Sequence, residues 1–79
     1  MAKNENTIYL SEIDPDKLRQ ARQRLGLTQE EAGRRVGKKG INISHYECGH
    51  KQPPAKVLLR LCFLYRVSIQ DLAKDEDDG

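Results

Sequence analysis

The sequence predicts a single all-α domain of five short helices, and three observations lead to this prediction. The chain has 79 residues and a mass of 9.0 kDa, which leaves room for one domain. Hydrophobic residues make up 37%, charged residues 33% and aromatic residues 5% of the chain, a balance typical of a small helical domain rather than a β-sandwich or a disordered segment. Apolar residues also recur at helical spacing between start and stop signals.

Capping residues and glycines divide residues 14–49 into three helices. The start signals are Asp14 before Pro15 and a capping box from Thr28 to Glu31. Glycine closes each segment, because it readily adopts the left-handed conformation that ends a helix. The predicted helices span residues 15–25, about 29–36 and about 40–48, and they end at Gly26, Gly37 and Gly49.

Two more helices are predicted downstream, so that the domain spans residues 14–74. Pro54 suits the first turn of the fourth helix, and Ser68 suits the N-cap of a short fifth helix at about residues 69–73. The inward stripe of the fourth helix is Leu58, Leu61, Cys62 and Tyr65. Residues 1–13 form a tail in this division, and residues 75–79 form an acidic one. Residues 7–10 have strand-like composition, and they either pair with their copy in a dimer or lie disordered.

Positive charge is concentrated in the middle of the chain. Residues 15–60 carry eleven Lys and Arg against four acids, a net charge of +7, although the whole chain carries only +2. Such a zone attracts polyanions, of which nucleic acid is the commonest. On charge alone, an ordinary solvated helical surface is the alternative.

Several other classes of function are excluded by what the sequence lacks. No apolar run is long enough for a membrane span or a signal peptide, so we expect a cytoplasmic protein with reduced thiols. There is no glycine-rich phosphate loop and no nucleophile motif, so we expect neither an enzyme nor a cofactor, and no small-molecule substrate is evident. His45, Cys48, His50 and Cys62 have no recognised zinc-ligand spacing, so no metal site is predicted.

The second and third predicted helices, joined across a glycine beside a lysine pair, describe a helix-turn-helix. The sequence also resembles the lambda-repressor-like (Cro/C1-type, XRE family) helix-turn-helix domains of phage repressors and related bacterial regulators. The resemblance covers residues 18–72. The matching residues are Gly26, Leu27, Thr28, Gln29, Glu30, Glu31, Gly37, Ile43, Ser44, Glu47, Gly49, Pro53, Leu58, Val67, Ser68 and Leu72.

This resemblance implies a sequence-specific DNA-binding regulator, most often a repressor, whose third helix lies in the major groove of double-stranded DNA. It implies a phosphate contact for Gln29 and base contacts around the start of the third helix. The predicted DNA-binding residues are Gln29, Lys38, Lys39, Gly40, Ile41, Asn42, His45 and Lys51. Gly40 departs from the family, because it has no side chain to read a base. It either allows a close backbone approach or relaxes the turn.

The resemblance further implies a structural ion pair between Arg22 and Glu47. Leu59 and Phe63 lie on a flank of the fourth helix that the family leaves partly polar, so they predict a homodimer interface; the alternative is that the N-terminal tail covers them. Gly33 stands where the family has a larger residue, which predicts either closer helix packing or a looser core. The alternative function is an antitoxin or adaptor that mainly binds a partner protein.

Overall fold

The computed structural model describes residues 13–75 and confirms the all-α class, with five helices in the predicted order. The predicted segment at residues 7–10 and most of the acidic tail lie outside the described residues. The helices are α1 (Pro15–Arg24), α2 (Gln29–Val36), α3 (Gly40–Cys48), α4 (Ala55–Tyr65) and α5 (Ile69–Leu72).

The capping signals account for the starts of α1 and α2 and for the ends of α2 and α3, whereas α1 ends at Arg24, one residue before the predicted end. The Asp14 side chain accepts a hydrogen bond from the Asp16 amide, and the reciprocal capping box between Thr28 and Glu31 opens α2. These contacts satisfy amides that have no intrahelical acceptor. Gly37 and Gly49 end α2 and α3 in the left-handed conformation, with φ of 78° and 80°.

The structure differs from the prediction at Pro54 and at Ile13, and it confirms Ser68 as the N-cap of α5. Pro54 is the N-cap of α4 rather than a first-turn residue, with an extended ψ of 156°. A second capping box, between Ser68 and Asp71, opens α5. Ile13, which the sequence assigns to the tail, is buried and forms an isolated antiparallel bridge with Ala73. The core therefore begins one residue before the predicted domain.

One hydrophobic core holds the five helices together. Its buried hydrophobic residues are Ile13, Leu18, Ala21, Ala32, Val36, Ile43, Tyr46, Val57, Leu58, Leu61, Tyr65 and Leu72. The predicted inward position of Cys62 is only half-buried, whereas Val57, one turn before Leu61, is buried. The inward stripe of α4 is therefore rotated slightly from the predicted one, and Cys62 lies at the rim of the core.

Gly33 allows α2 to lie directly against the turn before α3. A Cβ atom at this position would stand 2.7 Å from the Lys38 carbonyl oxygen and 2.9 Å from the carbonyl carbon of Lys39. Both are backbone atoms, which cannot move aside as a flexible side chain can. The neighbouring Ala32 is fully buried. The small residues of α2 therefore produce closer packing rather than a looser core.

We predict that Gly33→Ala destabilises the protein. The added methyl group forces the turn away from α2, and the loss is expected to be about 1 to 2 kcal/mol after the better helix propensity of alanine is subtracted. Urea denaturation measures this loss, and Arg34→Ala, at an exposed position of the same helix, is the control. A Gly33→Ala protein as stable as the parent would contradict the close packing.

Candidate nucleic-acid interface

The outer side of α3 faces away from the core, and His45 is the residue on it that contacts a neighbour, the ring of His50. Ile43, Tyr46 and Glu47 turn inward and are buried. Helical geometry places Ile41, His45 and Cys48 on the opposite side, with Ser44 and Asn42 on its flanks. Ile41 is 58% exposed. An exposed apolar residue here is available to a partner, since it packs against nothing in the core.

A shallow cleft of about 410 Å³ separates the start of α2 from the start of α3. It is lined by Gln29, Glu30, Lys39, Gly40, Ile41 and Ser44. Gly40 brings the two helices together here, because a Cβ atom on it would lie 3.2 Å from the Glu30 Cα. Gly40 therefore allows a close backbone approach to α2, and its role toward DNA stays a prediction.

Gln29 is the first residue of α2 and connects the cleft to the core. Its Nε2 donates a 3.1 Å hydrogen bond to Glu47 Oε1. The capping box occupies the amides of Thr28 and Glu31. The amide of Gln29 lies in the first turn, where no intrahelical acceptor exists, and such amides together with the helix dipole attract anions. The exposed carboxylate of Glu30 opposes this attraction, and the ammonium group of Lys39 favours it.

Three lysines flank α3. Lys38 and Lys39 precede the helix, and Lys51 follows it in the loop to α4. Lys39 and Lys51 are exposed, and Lys38 is half-buried. Within residues 13–75, none of the three forms an ion pair. Their charges therefore remain available for phosphate groups.

His45 is held by its neighbour in the following loop. Its ring stacks on that of His50, with centroids 5.7 Å apart and an interplanar angle of 12°. The Nδ1 atom of His45 is buried and has no hydrogen-bond partner. A ligand can therefore reach this ring only through Nε2.

Arg22 and Glu47 form a buried ion pair that joins α1 to the end of α3. Arg22 Nε donates to Glu47 Oε2 at 2.7 Å, and a second guanidinium nitrogen donates to Glu47 Oε1 at 3.0 Å. The third nitrogen donates to the Leu27 carbonyl oxygen at 2.7 Å. The hydrogen bond to Glu47 raises the pKa of Arg22. Such a bidentate pair fixes the angle of α3 more reliably than it adds stability.

The predicted dimer residues lie on a different surface. Leu59 and Phe63 are one turn apart on α4 and are 58% and 83% exposed. The structure therefore leaves them uncovered within the described part of the chain. Neither residue lines the cleft beside α3.

Sequence reasoning missed two residues of the cleft, Glu30 and Ser44. Helical spacing could have identified Ser44, which lies three residues after Ile41 on the same side of α3. Residues 13–75 contain no group of three His, Cys, Asp or Glu side chains placed to hold a metal ion. No helix among them is long and apolar enough to span a membrane.

We predict that Arg22→Ala destabilises the protein by about 2 to 4 kcal/mol, because it leaves the Glu47 carboxylate buried without its partner. Urea denaturation provides the measurement. Arg19→Ala is the matched control, since Arg19 pairs with Asp16 on the exposed surface of the same helix, where a pair contributes at most about 1 kcal/mol. Equal losses in the two variants would show that the buried pair has no special role.

Comparisons with known proteins agree with this geometry. Residues 16–74 match the family described as "Helix-turn-helix domain". The HTH-type transcriptional regulator ImmR of Bacillus subtilis (strain 168) is 41% identical over 61 residues, which are 76% of this chain and 48% of ImmR. The chain thus spans about half the length of that curated relative.

A solved structure shares the fold. The P22 c2 repressor protein, crystallised in complex with synthetic operator 9T in the presence of Tl+, superimposes with a TM-score of 0.72 and 28% sequence identity. The match covers 76% of this chain and 91% of that chain. Together with the family match and the arrangement of α2 and α3, this likeness leads to one conclusion: the chain belongs to the family of lambda-repressor-like helix-turn-helix domains.

Proposed function

We propose that this protein is a sequence-specific DNA-binding transcriptional regulator of the repressor type, with α3 in the major groove. The observation that carries the proposal is the exposed outer side of α3 between three lysines without ion pairs. The names of the two similar proteins, a transcriptional regulator and a repressor bound to an operator, support it. Cytoplasmic location and the lack of an enzymatic activity or cofactor stay predictions from the sequence.

The proposed contacts divide into base readers and phosphate contacts. The major groove is about 12 Å wide and admits an α-helix, and α3 begins with the residues nearest the cleft. Ile41 contacts a thymine methyl group in this arrangement, Asn42 pairs with adenine through its amide, and His45 donates from Nε2. Gly40 contributes backbone only. Gln29, Lys38, Lys39 and Lys51 bind phosphates on either side of the groove.

The proposal includes a homodimer on an inverted-repeat operator. One short helix reads few base pairs, so two-fold symmetry supplies the remaining specificity. Leu59 and Phe63 form the dimer contact in this proposal, because they are the largest exposed apolar pair within residues 13–75 and share one face of α4. A dimer also doubles the number of neutralised phosphates.

Selection of bound duplexes from a random pool at moderate salt tests the proposed function. We expect a sequence with inverted-repeat symmetry to be enriched. Asn42→Ala should weaken binding by about 1 to 3 kcal/mol at one base position in each half-site. Lys39→Ala should weaken binding uniformly across sequences, and it should lower the slope of log K against log salt by about 0.9 per subunit. Failure to enrich any sequence, with no binding at low salt, would refute the proposal.

Sedimentation equilibrium at micromolar concentration tests the dimer. We expect the parent chain to associate, and Phe63→Ser to shift it toward the monomer, because the substitution removes the most exposed large apolar side chain among residues 13–75. Arg35→Ser, at an exposed position of α2, is the control. A parent chain that sediments only as a 9.0 kDa species would contradict dimerisation.

A further inference from the structure

A groove of about 400 Å³ lies between α1 and the turn that joins α4 to α5. Three cationic side chains line it, Lys17, Arg24 and Arg66; among its apolar lining residues Val67 is half-buried, and Ala21 and Leu72 are buried. None of the lining residues belongs to α2 or α3. The groove is therefore separate from the proposed DNA-binding surface.

Arg66 holds an unusual backbone conformation in this groove. It ends α4 in the left-handed region, with φ of 59° and ψ of 46°, and it is the one non-glycine residue with positive φ within residues 13–75. Glycine or asparagine fits such a position with less strain. An arginine here points to a role for its side chain, because the backbone alone would favour glycine.

The groove already attracts carboxylates of this chain. Lys17 Nζ lies 2.7 Å from Asp75 Oδ1, although this aspartate is 90% exposed. Hydrogen bonds from Ser68 lower the pKa of Asp71, which lines the groove, and the charges of Arg24 and Lys17 contribute to the same shift. Arg24 and Arg66 themselves form no ion pair within residues 13–75. Two guanidinium groups are thus available to an incoming acid.

We propose that this groove binds an acidic, partly apolar peptide segment of a partner protein. Carboxylates of the peptide pair with Arg24 and Arg66, whose planar guanidinium groups match a carboxylate. A further carboxylate displaces the exposed Asp75 from Lys17, and an apolar side chain of the peptide packs on the half-buried Val67. A nucleic acid fits this groove less well, because the apolar surface of Val67 offers phosphates no hydrogen bonds, whereas an apolar side chain of a peptide can pack on it.

Fluorescence anisotropy with a fluorescein-labelled synthetic peptide of glutamate and leucine tests this proposal on the full chain. Arg66→Gly should weaken binding about three- to tenfold, and Arg24→Gln should act similarly. Arg66→Gly should also melt at the same temperature as the parent or higher, because glycine relieves the left-handed strain. Unfolding therefore cannot explain the loss. The same peptide with glutamine in place of glutamate should not bind.

Two matched controls remove one positive charge elsewhere: Arg35→Gln on α2 and Lys39→Gln before α3. Both should leave peptide affinity unchanged within about twofold, the range of a surface charge. The proposal is overturned if either control substitution weakens peptide binding as much as Arg66→Gly does, or if Arg66→Gly leaves peptide binding unchanged. The proposal is also overturned if Arg66→Gly weakens the binding of a random-sequence duplex as strongly as it weakens the binding of the peptide. The groove would then bind nucleic acid. DNA binding through α3 is measured independently of each of these outcomes.

Discussion

The angle of α3 relative to α1 depends on the buried ion pair between Arg22 and Glu47. Arg22 reaches α3 through two hydrogen bonds and residue 27 through a third, so one guanidinium group joins α1, the loop before α2 and the end of α3. Burying two paired charges adds little net stability to the fold, but the pair is stable only in very few geometric arrangements. Glu47 also accepts from Gln29. The pair therefore fixes the position of the start of α2 relative to the end of α3. In the proposed complex, a DNA backbone would have to contact both parts at the same time.

Close backbone packing supplies the second constraint on the same unit. Gly33 lets the turn before α3 rest on α2, and Gly40 lets the first residue of α3 rest on the first turn of α2. A Cβ atom at either position would come too close to backbone atoms of the facing segment, so the two elements would have to move apart. Residue 40 therefore has no side chain that could contact a base, but the missing side chain permits the close packing of α3 on α2 that shapes the cleft. In the proposed complex, recognition of the base sequence depends on the residues of α3 that follow Gly40.

Local signals predicted the fold better than they predicted its details. Caps such as Thr28 act within one turn, so the starts of α1 and α2 and the ends of α2 and α3 could be placed from neighbouring residues alone. The burial of Val57 in place of Cys62, the bridge from Ile13 to Ala73 and the left-handed Arg66 depend on how distant elements pack, which periodicity does not report. At the candidate interface, the exposure of Ile41 follows from helical spacing, because Ile43, Tyr46 and Glu47 occupy the buried side of α3. The hydrogen bond from Gln29 to Glu47 could not be predicted, because it joins side chains 18 residues apart.

Two separate surfaces of this small domain each carry a group of three cationic side chains. The lysines around α3 belong to the proposed DNA-binding surface, whereas Lys17, Arg24 and Arg66 line a groove that α2 and α3 do not reach. A titration of the nitrogen-15-labelled chain with a selected duplex, followed by amide chemical shifts, shows whether DNA binds at the first of these surfaces. We expect the largest shifts at Gln29 and residues 39–45. Large shifts confined to α4 and α5, with α3 unchanged, would rule out binding through α3.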